Sequence, residues 1–401
     1  MKKLVVIGRG TAGSQAIAHF TRWMPFSEIE WHYDPNIKPQ AVGEGSQLGF
    51  PINMYQTLSF SYEDLKKLDG NFKTGVAKEG WGKSGKYFFH DFMPPSVGYH
   101  FNAVKCQDYI FEKLKNKVKL FEHNIDPENI DADYIMDCRG RPKSSNDKHK
   151  FQESKFMCVN AVHVVMCFWD QPKFDYTLAI ARPYGWVFGV PLHNRCAIGY
   201  LYNKDINTID EIKQDIINVI EKYNLTPSDT TNSILFSTYK RINNYEDDKR
   251  IVYNGNASFF FDPLEATALT VMDTITRNAY DLWHNNLELD YVRNKYHTLL
   301  DEIEIMIMMH YFSGSMYDTK FWKFAQERGT QCIEQLKSNS DFKNIYKLIK
   351  IAKDINFFYN LSVDSNYLGL SFGTWPPLSY FQNVKGLEIE SKLDKIILGN
   401  N

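Results

Sequence analysis

The first part of the chain imposes the strongest constraint on its fold. The apolar run "LVVI" leads directly into Gly8, Gly10 and Gly13 in the pattern G-x-G-x-x-G, and a helix-like segment follows. Asp34 ends a second apolar segment, roughly 20 residues further on. A lone glycine pattern is weak evidence, but here the strand, the helix and the acid are all present. Together they predict a Rossmann-type unit that binds a dinucleotide.

Each glycine of this pattern has its own physical role. Gly8 permits the tight turn, Gly10 lets the main chain approach a pyrophosphate, and Gly13 lets helix and strand pack closely. The pyrophosphate would lie at the helix N-terminus, and Asp34 would accept hydrogen bonds from a ribose. The predicted cofactor contacts are therefore Gly8, Gly10, Thr11, Ala12, Gly13 and Asp34.

Composition narrows the class of protein. The 46 Lys and Arg residues nearly balance 48 Asp and Glu residues, so no strong field favours nucleic acid or anionic lipid. The six cysteines form no C-x-x-C pair, which favours reduced thiols and no metal site. The N-terminal apolar run is too short for a signal peptide, and no window has a membrane-spanning length. We expect a soluble cytoplasmic protein that binds neither nucleic acid nor membranes.

The remaining segments predict an α/β fold with an inserted α+β part. Strand-like returns to the nucleotide-binding sheet occur near 130–142 and 250–280. An antiparallel sheet is expected at about 156–205, and helix dominates afterwards. This interleaving is typical of large flavin-binding folds. We expect a discontinuous cofactor-binding domain over 1–285, with the sheet inserted in it, and a helical region over 286–401 that caps a substrate site.

Two aromatic residues in "YGWVFGVP" raise a separate question. Trp186 and Phe188 are two positions apart in a segment too short for a helix. On a strand such positions share a face, so the two rings would lie side by side. They form either a wall against a flat ligand or an ordinary part of a sheet core.

Four segments, in order, resemble one family, the flavin-dependent halogenases of the tryptophan-halogenase type. "GRGTAG" is similar to the family's FAD fingerprint, and "GWVFGVPL" to its W-x-W-x-I-P signature. "FFFDPLEATAL" and "MMHYFSGSMYDTKFW" resemble two later family segments, and "VGEG", "GYHFNA" and "RCAIGYLY" also fall in family order. The resemblance covers about the first 325 residues of the chain.

The resemblance implies FAD as the cofactor and a two-stage reaction. A separate flavin reductase would supply FADH2, which with oxygen and a halide gives hypohalous acid. The oxidant then passes to a lysine and reacts with an electron-rich aromatic substrate. Trp186 and Phe188 would line the flavin side and keep organic substrate away from it. The resemblance adds Gly43, Glu44, Trp186, Gly255 and Asp262 to the predicted cofactor contacts.

The same resemblance suggests two catalytic residues. The family glutamate corresponds to Glu265, whose carboxylate would orient the oxidant and accept the ring proton. A simpler role for Glu265 is to stabilise a helix N-terminus. The family lysine aligns with Ala77, one residue before Lys78, and a one-residue shift on a strand reverses the face. Either a bulge or irregular loop restores Lys78 to the site, or Lys73 replaces it. We predict Lys78.

Halide and substrate contacts also follow from the resemblance. The backbone amides of Thr267 and Ala268, at a predicted helix start, would hold chloride, bromide or iodide. His90, Phe101 and Trp375 would contact the aromatic substrate, with stacking contributions of about 0.5–1.5 kcal/mol per pair. We expect a free-standing phenol or indole. The sequence leaves open which halide is preferred and whether the protein forms a homo-oligomer.

Two other functions fit the same nucleotide-binding pattern. A flavin-dependent monooxygenase that hydroxylates aromatic rings would share the fingerprint but has no need for Lys78 and Glu265. A non-catalytic FAD-binding protein would also share it, and the displaced lysine is the feature that favours it. The mass of the product separates a halogenase from both.

Overall fold

The computed structural model describes residues 2–23, 28–37, 43–141, 149–362 and 369–399. Val42 of the segment "VGEG" lies outside them. The chain divides into two compact units. The first contains Met1–Lys73, Gly98–Ser154 and Ser237–Thr298, and the second contains Thr74–Val97, Lys155–Phe236 and Leu299–Asn401.

The secondary structure alternates strands and helices up to about residue 285 and is mainly helical afterwards. The strands are β1 (Lys3–Ile7), β2 (Glu28–Tyr33), β3 (Asn71–Lys73), β4 (Gly75–Glu79), β5 (Phe88–Asp91), β6 (Gly98–His100), β7 (Lys119–Glu122), β8 (Tyr134–Asp137), β9 (Phe151–Glu153), β10 (Ala161–Phe168), β11 (Thr177–Arg182), β12 (Gly185–Pro191), β13 (Arg195–Tyr202), β14 (Thr226–Leu235), β15 (Tyr239–Arg241), β16 (Ile251–Tyr253) and β17 (Phe259–Phe260). The helices are α1 (Thr11–Trp23), α2 (Gly49–Leu58), α3 (Tyr62–Lys67), α4 (Ala103–Leu114), α5 (Ile209–Lys222), α6 (Ala268–His284), α7 (Leu289–Ser313), α8 (Lys320–Ile333), α9 (Ser340–Ile351), α10 (Asn356–Ser362), α11 (Pro377–Gly386) and α12 (Glu390–Ile397).

The first unit is built on a five-stranded parallel sheet. Its strand order is β16-β8-β1-β2-β7, with β1 paired in parallel with both β2 and β8. The central strand β1 reads "KLVVI", and four of its five residues are buried. A continuous apolar strand of this kind is what a parallel sheet covered on both faces requires. The predicted returns of the chain to this sheet are confirmed by β8 and β16.

The second unit is built on a seven-stranded sheet in the order β14-β10-β13-β12-β11-β4-β5. The expected sheet at 156–205 supplies β10 to β13, which are antiparallel to one another where they pair. Strand β4 adds in parallel beside β11, and β5 completes that edge. Alternate residues of β10 are buried, the period-2 pattern of a sheet covered on one face. Helix α5 packs on this face and completes an apolar core.

Two helix ends show clear local causes. Helix α5 follows Thr208, which forms a capping box with Glu211. Such a box satisfies two backbone donors at the helix start. Helices α6 and α7 are separated by a short turn in which Asn286 has a φ of 55°. None of the helices in the described ranges has the length and hydropathy needed to cross a membrane.

The contact pattern groups the sheet differently from the expected domain division. The segment at 156–205 belongs to a compact unit that also contains the C-terminal helices, with 74–97 as a third contributor. The first unit extends to Thr298. Strands β4 and β5 explain the difference, because they carry an early part of the chain into the seven-stranded sheet.

Candidate active site

The glycine-rich turn between β1 and α1 has the geometry of a phosphate-binding turn. Gly8 has a φ of +108°, and a Cβ at Gly13 would lie 2.0 Å from the carbonyl oxygen of Gly8. Both positions therefore require glycine. A Cβ at Gly10 would meet no protein atom within 4 Å. Gly10 thus faces open space at the start of a 13-residue helix, where a phosphate group would be held.

Other predicted cofactor residues also belong to the first unit, and one of them lies against the helix that follows the turn. A Cβ at Gly255, which has a φ of +60°, would lie 2.7 Å from the Cβ of Ala12. The absence of a side chain at Gly255 therefore lets its loop approach α1. Asp34 follows β2 directly and accepts hydrogen bonds from the backbone and side chain of Asn36. Asp262 is buried and accepts a hydrogen bond from the amide of Leu264.

The segment that begins at Gly43 runs alongside β6. Phe101 donates its amide hydrogen to the carbonyl of Glu44, and Ser46 donates to that of Tyr99. Glu44 is buried, whereas a Cβ at Gly43 would meet nothing within 4 Å. The main chain is thus open at Gly10 and Gly43, and Asp34 follows β2, so the residues of this unit fit the pyrophosphate and ribose of FAD.

Glu265 lies in a tight turn immediately before α6. Glu265 and Ala266 both have positive φ values, 72° and 51°. Non-glycine residues seldom adopt this conformation, and two in succession are strained. The side chain of Glu265 is buried, as is Thr267, while Ala268 begins α6 and is exposed. The first backbone amides of a helix have no partner within it, so this turn places the predicted halide site at a helix N-terminus.

Lys78 is the centre of a buried polar cluster in the second unit. Its side chain is 0% exposed. Its Nζ lies 2.8 Å from Nε2 of His310 on α7 and 2.5 Å from Oδ1 of Asn383 on α11. Its Nζ also lies 5.1 Å from the centre of the Trp375 ring. Burial of a charged amine is costly unless it has polar partners, and these contacts provide them.

The partners of Lys78 are themselves held in one orientation. Nδ1 of His310 lies 3.2 Å from the carbonyl oxygen of Ile307. Because that oxygen can only accept, Nδ1 carries a hydrogen and Nε2 of the neutral ring accepts from Lys78. The side-chain nitrogen of Asn383 donates to the carbonyl of Ser379 at 2.8 Å. Its oxygen is therefore directed at Lys78.

Lys78 lies one residue after the position that aligns with the family lysine, and the pairing of β4 shows which face of the sheet it occupies. The pairing of β4 with β5 is regular from Gly75 to Lys78, without a bulge. Ala77 is part of the apolar core beneath α5, and Lys78 therefore lies on the opposite face. Ala77 and Lys78 thus point to opposite faces, as expected for a regular strand, and the predicted bulge is absent from β4. The polar cluster lies on the face that carries Lys78.

Two of the predicted substrate residues belong to the same cluster. The rings of His90 and Trp375 are 5.4 Å apart in an edge-to-face arrangement, and the His310 ring is 5.7 Å from Trp375. His90 also bonds to the hydroxyl of Ser379 at 2.9 Å. Thus the structure brings together Lys78, His90 and Trp375.

Phe101 and Lys73 have other surroundings, both within the first unit. Phe101 is buried and stacks on Phe50 with ring centres 4.9 Å apart. Lys73 is buried at the end of β3. It lies close enough to His100 to lower the pKa of that imidazole, an effect smaller than that of burial itself. Phe101 therefore packs as a core residue of the first unit, apart from the cluster around Lys78.

Trp186 and Phe188 lie side by side on β12, as their spacing predicts. Their ring centres are 6.3 Å apart. Trp186 is buried, and its indole nitrogen has no hydrogen-bond partner among the described residues. A buried donor of this kind is usually satisfied by water or a ligand.

A cavity of about 510 Å³ lies between α5, β10 and β14 in the second unit. None of the predicted site residues lines it.

Sequence reasoning missed His310 and Asn383 as site residues. His310 falls in the quoted segment "MMHYFSGSMYDTKFW", but the spacing of that segment gives no indication of a lysine partner. Asn383 lies in α11, whose sequence "PLSYFQNVKG" contains no recognised motif. The sequence gives one indication that such partners exist: a lysine predicted to be buried requires hydrogen-bond acceptors.

The arrangement defines a class of protein: an α/β protein with a Rossmann-type nucleotide-binding unit and a buried lysine cluster in a second unit. Residues 3–125 and 112–371 match the family model described as tryptophan halogenase. These matches cover well over half of the chain, and the protein belongs to the tryptophan halogenase family of flavin-dependent halogenases.

Individual relatives agree with this membership. The chain is 25% identical over 160 residues to tryptophan 6-halogenase SttH of Streptomyces toxytricini, a match that covers 38% of this chain and 29% of SttH. It is also 25% identical over 157 residues to tryptophan 7-halogenase RebH of Lentzea aerocolonigenes, with 38% and 29% covered. The sequence match thus spans less than a third of either curated relative.

The structural likeness extends further than the sequence match. The crystal structure of a tryptophan halogenase from Shewanella frigidimarina superposes with a TM-score of 0.77 at 16% identity, covering 96% of this chain and 89% of that one. The fold is therefore shared along almost the whole chain.

Proposed function

We propose that this protein is an FADH2-dependent halogenase that modifies a free-standing, electron-rich aromatic compound of the phenol or indole type. The observation that carries the proposal is the fully buried Lys78 with its two oriented acceptors. A protein that only bound FAD would gain nothing from burying an amine in this way, because such burial costs free energy. Family membership supplies the reaction class.

Bound FADH2 would supply the two electrons that, with oxygen, a halide and a proton, give hypohalous acid and water. The turn that Gly8 and Gly13 shape would hold the pyrophosphate beside Gly10, and Asp34 would bind the ribose. Trp186 protects the flavin side from organic substrate. The halide would lie at the amides of Thr267 and Ala268, where the helix dipole favours an anion.

Lys78 and Glu265 are assigned to the transfer step. Lys78 holds hypohalous acid through a hydrogen bond from Nζ, and the substrate lies against His90 and Trp375. In the substitution the halogen–oxygen bond breaks, a carbon–halogen bond forms, and the hydroxide released takes a proton from the Lys78 ammonium to become water. The carboxylate of Glu265 accepts the proton that leaves the ring, and release of that proton to solvent balances the one that Lys78 regains. The reaction thus consumes hypohalous acid and yields the halogenated aromatic compound and water.

A turnover assay tests this function. The chain is incubated with FAD, a flavin reductase, NADH and a panel of phenols and indoles, separately in chloride, bromide and iodide. Mass spectrometry should show halogen in place of hydrogen. Lys78→Ala and Glu265→Gln should each lower product formation by a factor of about a hundred or more. Lys83→Ala, which removes an exposed lysine of the same segment, is the matched control.

The other outcomes separate the alternatives. A product that gains one oxygen would show a hydroxylase, and FAD binding without product would show a non-catalytic protein. Full activity in Lys78→Ala would assign the lysine role to Lys73 or to freely diffusing oxidant. Turnover of carrier-tethered substrate alone would overturn the choice of a free-standing compound.

A further inference from the structure

The strained turn that carries Glu265 is held by a side chain from another part of the first unit. The amide nitrogen of Gln47 donates to the carbonyl oxygen of Glu265 at 2.9 Å. The carbonyl oxygen of the same side chain accepts from the hydroxyl of Thr270 on the first turn of α6, also at 2.9 Å. Gln47 thus joins the turn to the helix that follows it.

These two bonds fix the orientation of the Gln47 amide. The backbone carbonyl oxygen of Glu265 can only accept, so the end of the amide that faces it must be the nitrogen. The amide oxygen then faces Thr270, whose hydroxyl donates to it. The bond is made at the residue with the unfavourable φ of 72°. A left-handed residue other than glycine persists only where its surroundings enforce it. Gln47 is in position to do so.

We propose that Gln47 is a positioning residue for catalysis, which acts through the backbone of Glu265 and not on the substrate. The inference rests on the proposed function of Glu265. Without the Gln47 bond, the turn at Glu265 and Ala266 can relax toward ordinary φ values, and such a relaxation rotates the carboxylate away from its working position. Thr270 acts one step further out, because it orients the Gln47 amide.

Substitutions of Gln47 and Thr270 test the chain of contacts. Gln47→Met keeps the length of the side chain and removes both polar atoms. It should lower kcat about tenfold, the loss expected for one hydrogen bond, with KM changed less than about twofold. Thr270→Val should show a smaller loss in the same direction. Thr270→Ser keeps the hydroxyl and is the matched control for Thr270→Val.

If Gln47 acts by holding the strained turn, then relieving that strain should restore kcat in Gln47→Met. A general structural role of Gln47 would show no such recovery. Ala266→Gly lets the second left-handed residue adopt its conformation without steric cost. In this background Gln47→Met should cost less than about threefold in kcat. In a Glu265→Gln background it should cost nothing further, since the group that it positions is already lost. A soluble 1,3-diketone trap should show undiminished oxidant in Gln47→Met.

The outcomes distinguish this inference from the proposed function. If the unmodified protein halogenates but Gln47→Met matches it, or loses activity equally with and without Ala266→Gly, the positioning role is wrong. A loss of FAD affinity alone, measured by flavin fluorescence, would also overturn it. If the unmodified protein makes no halogenated product, the proposed function fails. A crystal structure of Gln47→Met in which Glu265 leaves the left-handed region would then still support the positioning role.

Discussion

At the scale of single residues, the contact between Lys78 and His310 is the most informative in the molecule. The histidine accepts through Nε2 because Nδ1 is committed to the carbonyl of Ile307. His310 therefore supports a lysine that can donate hydrogen bonds, and its orientation fixes where Nζ lies. A replacement that preserves an acceptor at the Nε2 position should preserve the function of Lys78.

His310→Gln and His310→Asn form a matched pair for this contact. The terminal oxygen of glutamine reaches the position of Nε2, whereas that of asparagine reaches only the position of Nδ1. We expect His310→Gln to keep kcat/KM within about threefold, and His310→Asn to lower it about tenfold or more, since hydrogen bonds to charged groups contribute about 1.5–3 kcal/mol. Steady-state halogenation kinetics measure the difference.

A buried histidine elsewhere in the second unit provides the control for these two variants. His163→Asn removes a buried ring on β10 that bonds to Ser233 on the neighbouring strand β14, and it should leave kcat/KM unchanged. Equal losses in His310→Gln and His310→Asn would contradict the acceptor role.

The parts of the site that could be predicted from the sequence are those whose residues lie close together along the chain. The glycine turn was predictable because strand, turn and helix all lie within Lys3–Trp23 and each glycine has a steric reason. Lys78 was identified by family resemblance, but its partners are 232 and 305 residues away. No local pattern contains such contacts. Gln47 was equally hidden, 218 residues from Glu265.

At the scale of elements, the turn between β1 and α1 separates a structural role from a binding role. A Cβ at Gly13 would lie 2.0 Å from the carbonyl oxygen of Gly8, while a Cβ at Gly10 would meet nothing within 4 Å. Gly13→Ala should therefore lower the thermal stability of the protein. Gly10→Ala should leave that stability unchanged and weaken FAD binding, because the added methyl group occupies the space expected for the pyrophosphate.

Differential scanning fluorimetry without cofactor and FAD titration followed by flavin fluorescence measure the two effects. We expect FAD affinity to fall about tenfold or more in Gly10→Ala, a loss of about 1.4 kcal/mol. Unchanged FAD affinity in Gly10→Ala would mean that the cofactor does not approach this turn.

The strand β4 shows what the alternation of a sheet can and cannot reveal. The alternation of a regular strand predicts correctly that Ala77 and Lys78 point to opposite faces. The alignment of the family lysine with Ala77 predicts that the face of Ala77 is the functional one. In the structure that face packs beneath α5, and the opposite face carries the polar cluster. Which face of a strand is covered depends on distant elements, so the strand alone could not decide it.

At the scale of the whole molecule, buried histidines link folding to pH. Burial lowers the pKa values of His19, His32 and His100 in the first unit and of His163 in the second. In each case the unfolded chain binds a proton more readily than the folded chain does. Stability contributed by the neutral rings is therefore present above the unfolded pKa of about 6.5 and is lost as the pH falls.

His19 gives the most specific form of this prediction. Burial on α1, with a smaller effect from the nearby Arg277, lowers its pKa to about 4. Neither ring nitrogen has a hydrogen-bond partner among the described residues, so nothing there offsets the cost of a charge. Between pH 6.5 and 4 this one residue should lower the free energy of unfolding by about 3 kcal/mol.

His19→Gln should remove that part of the acid dependence, and His193→Gln, at an exposed position, should not. Urea unfolding at pH 7.5, 6, 5 and 4 measures the three curves, and parallel curves for the unmodified protein and His19→Gln would contradict the prediction.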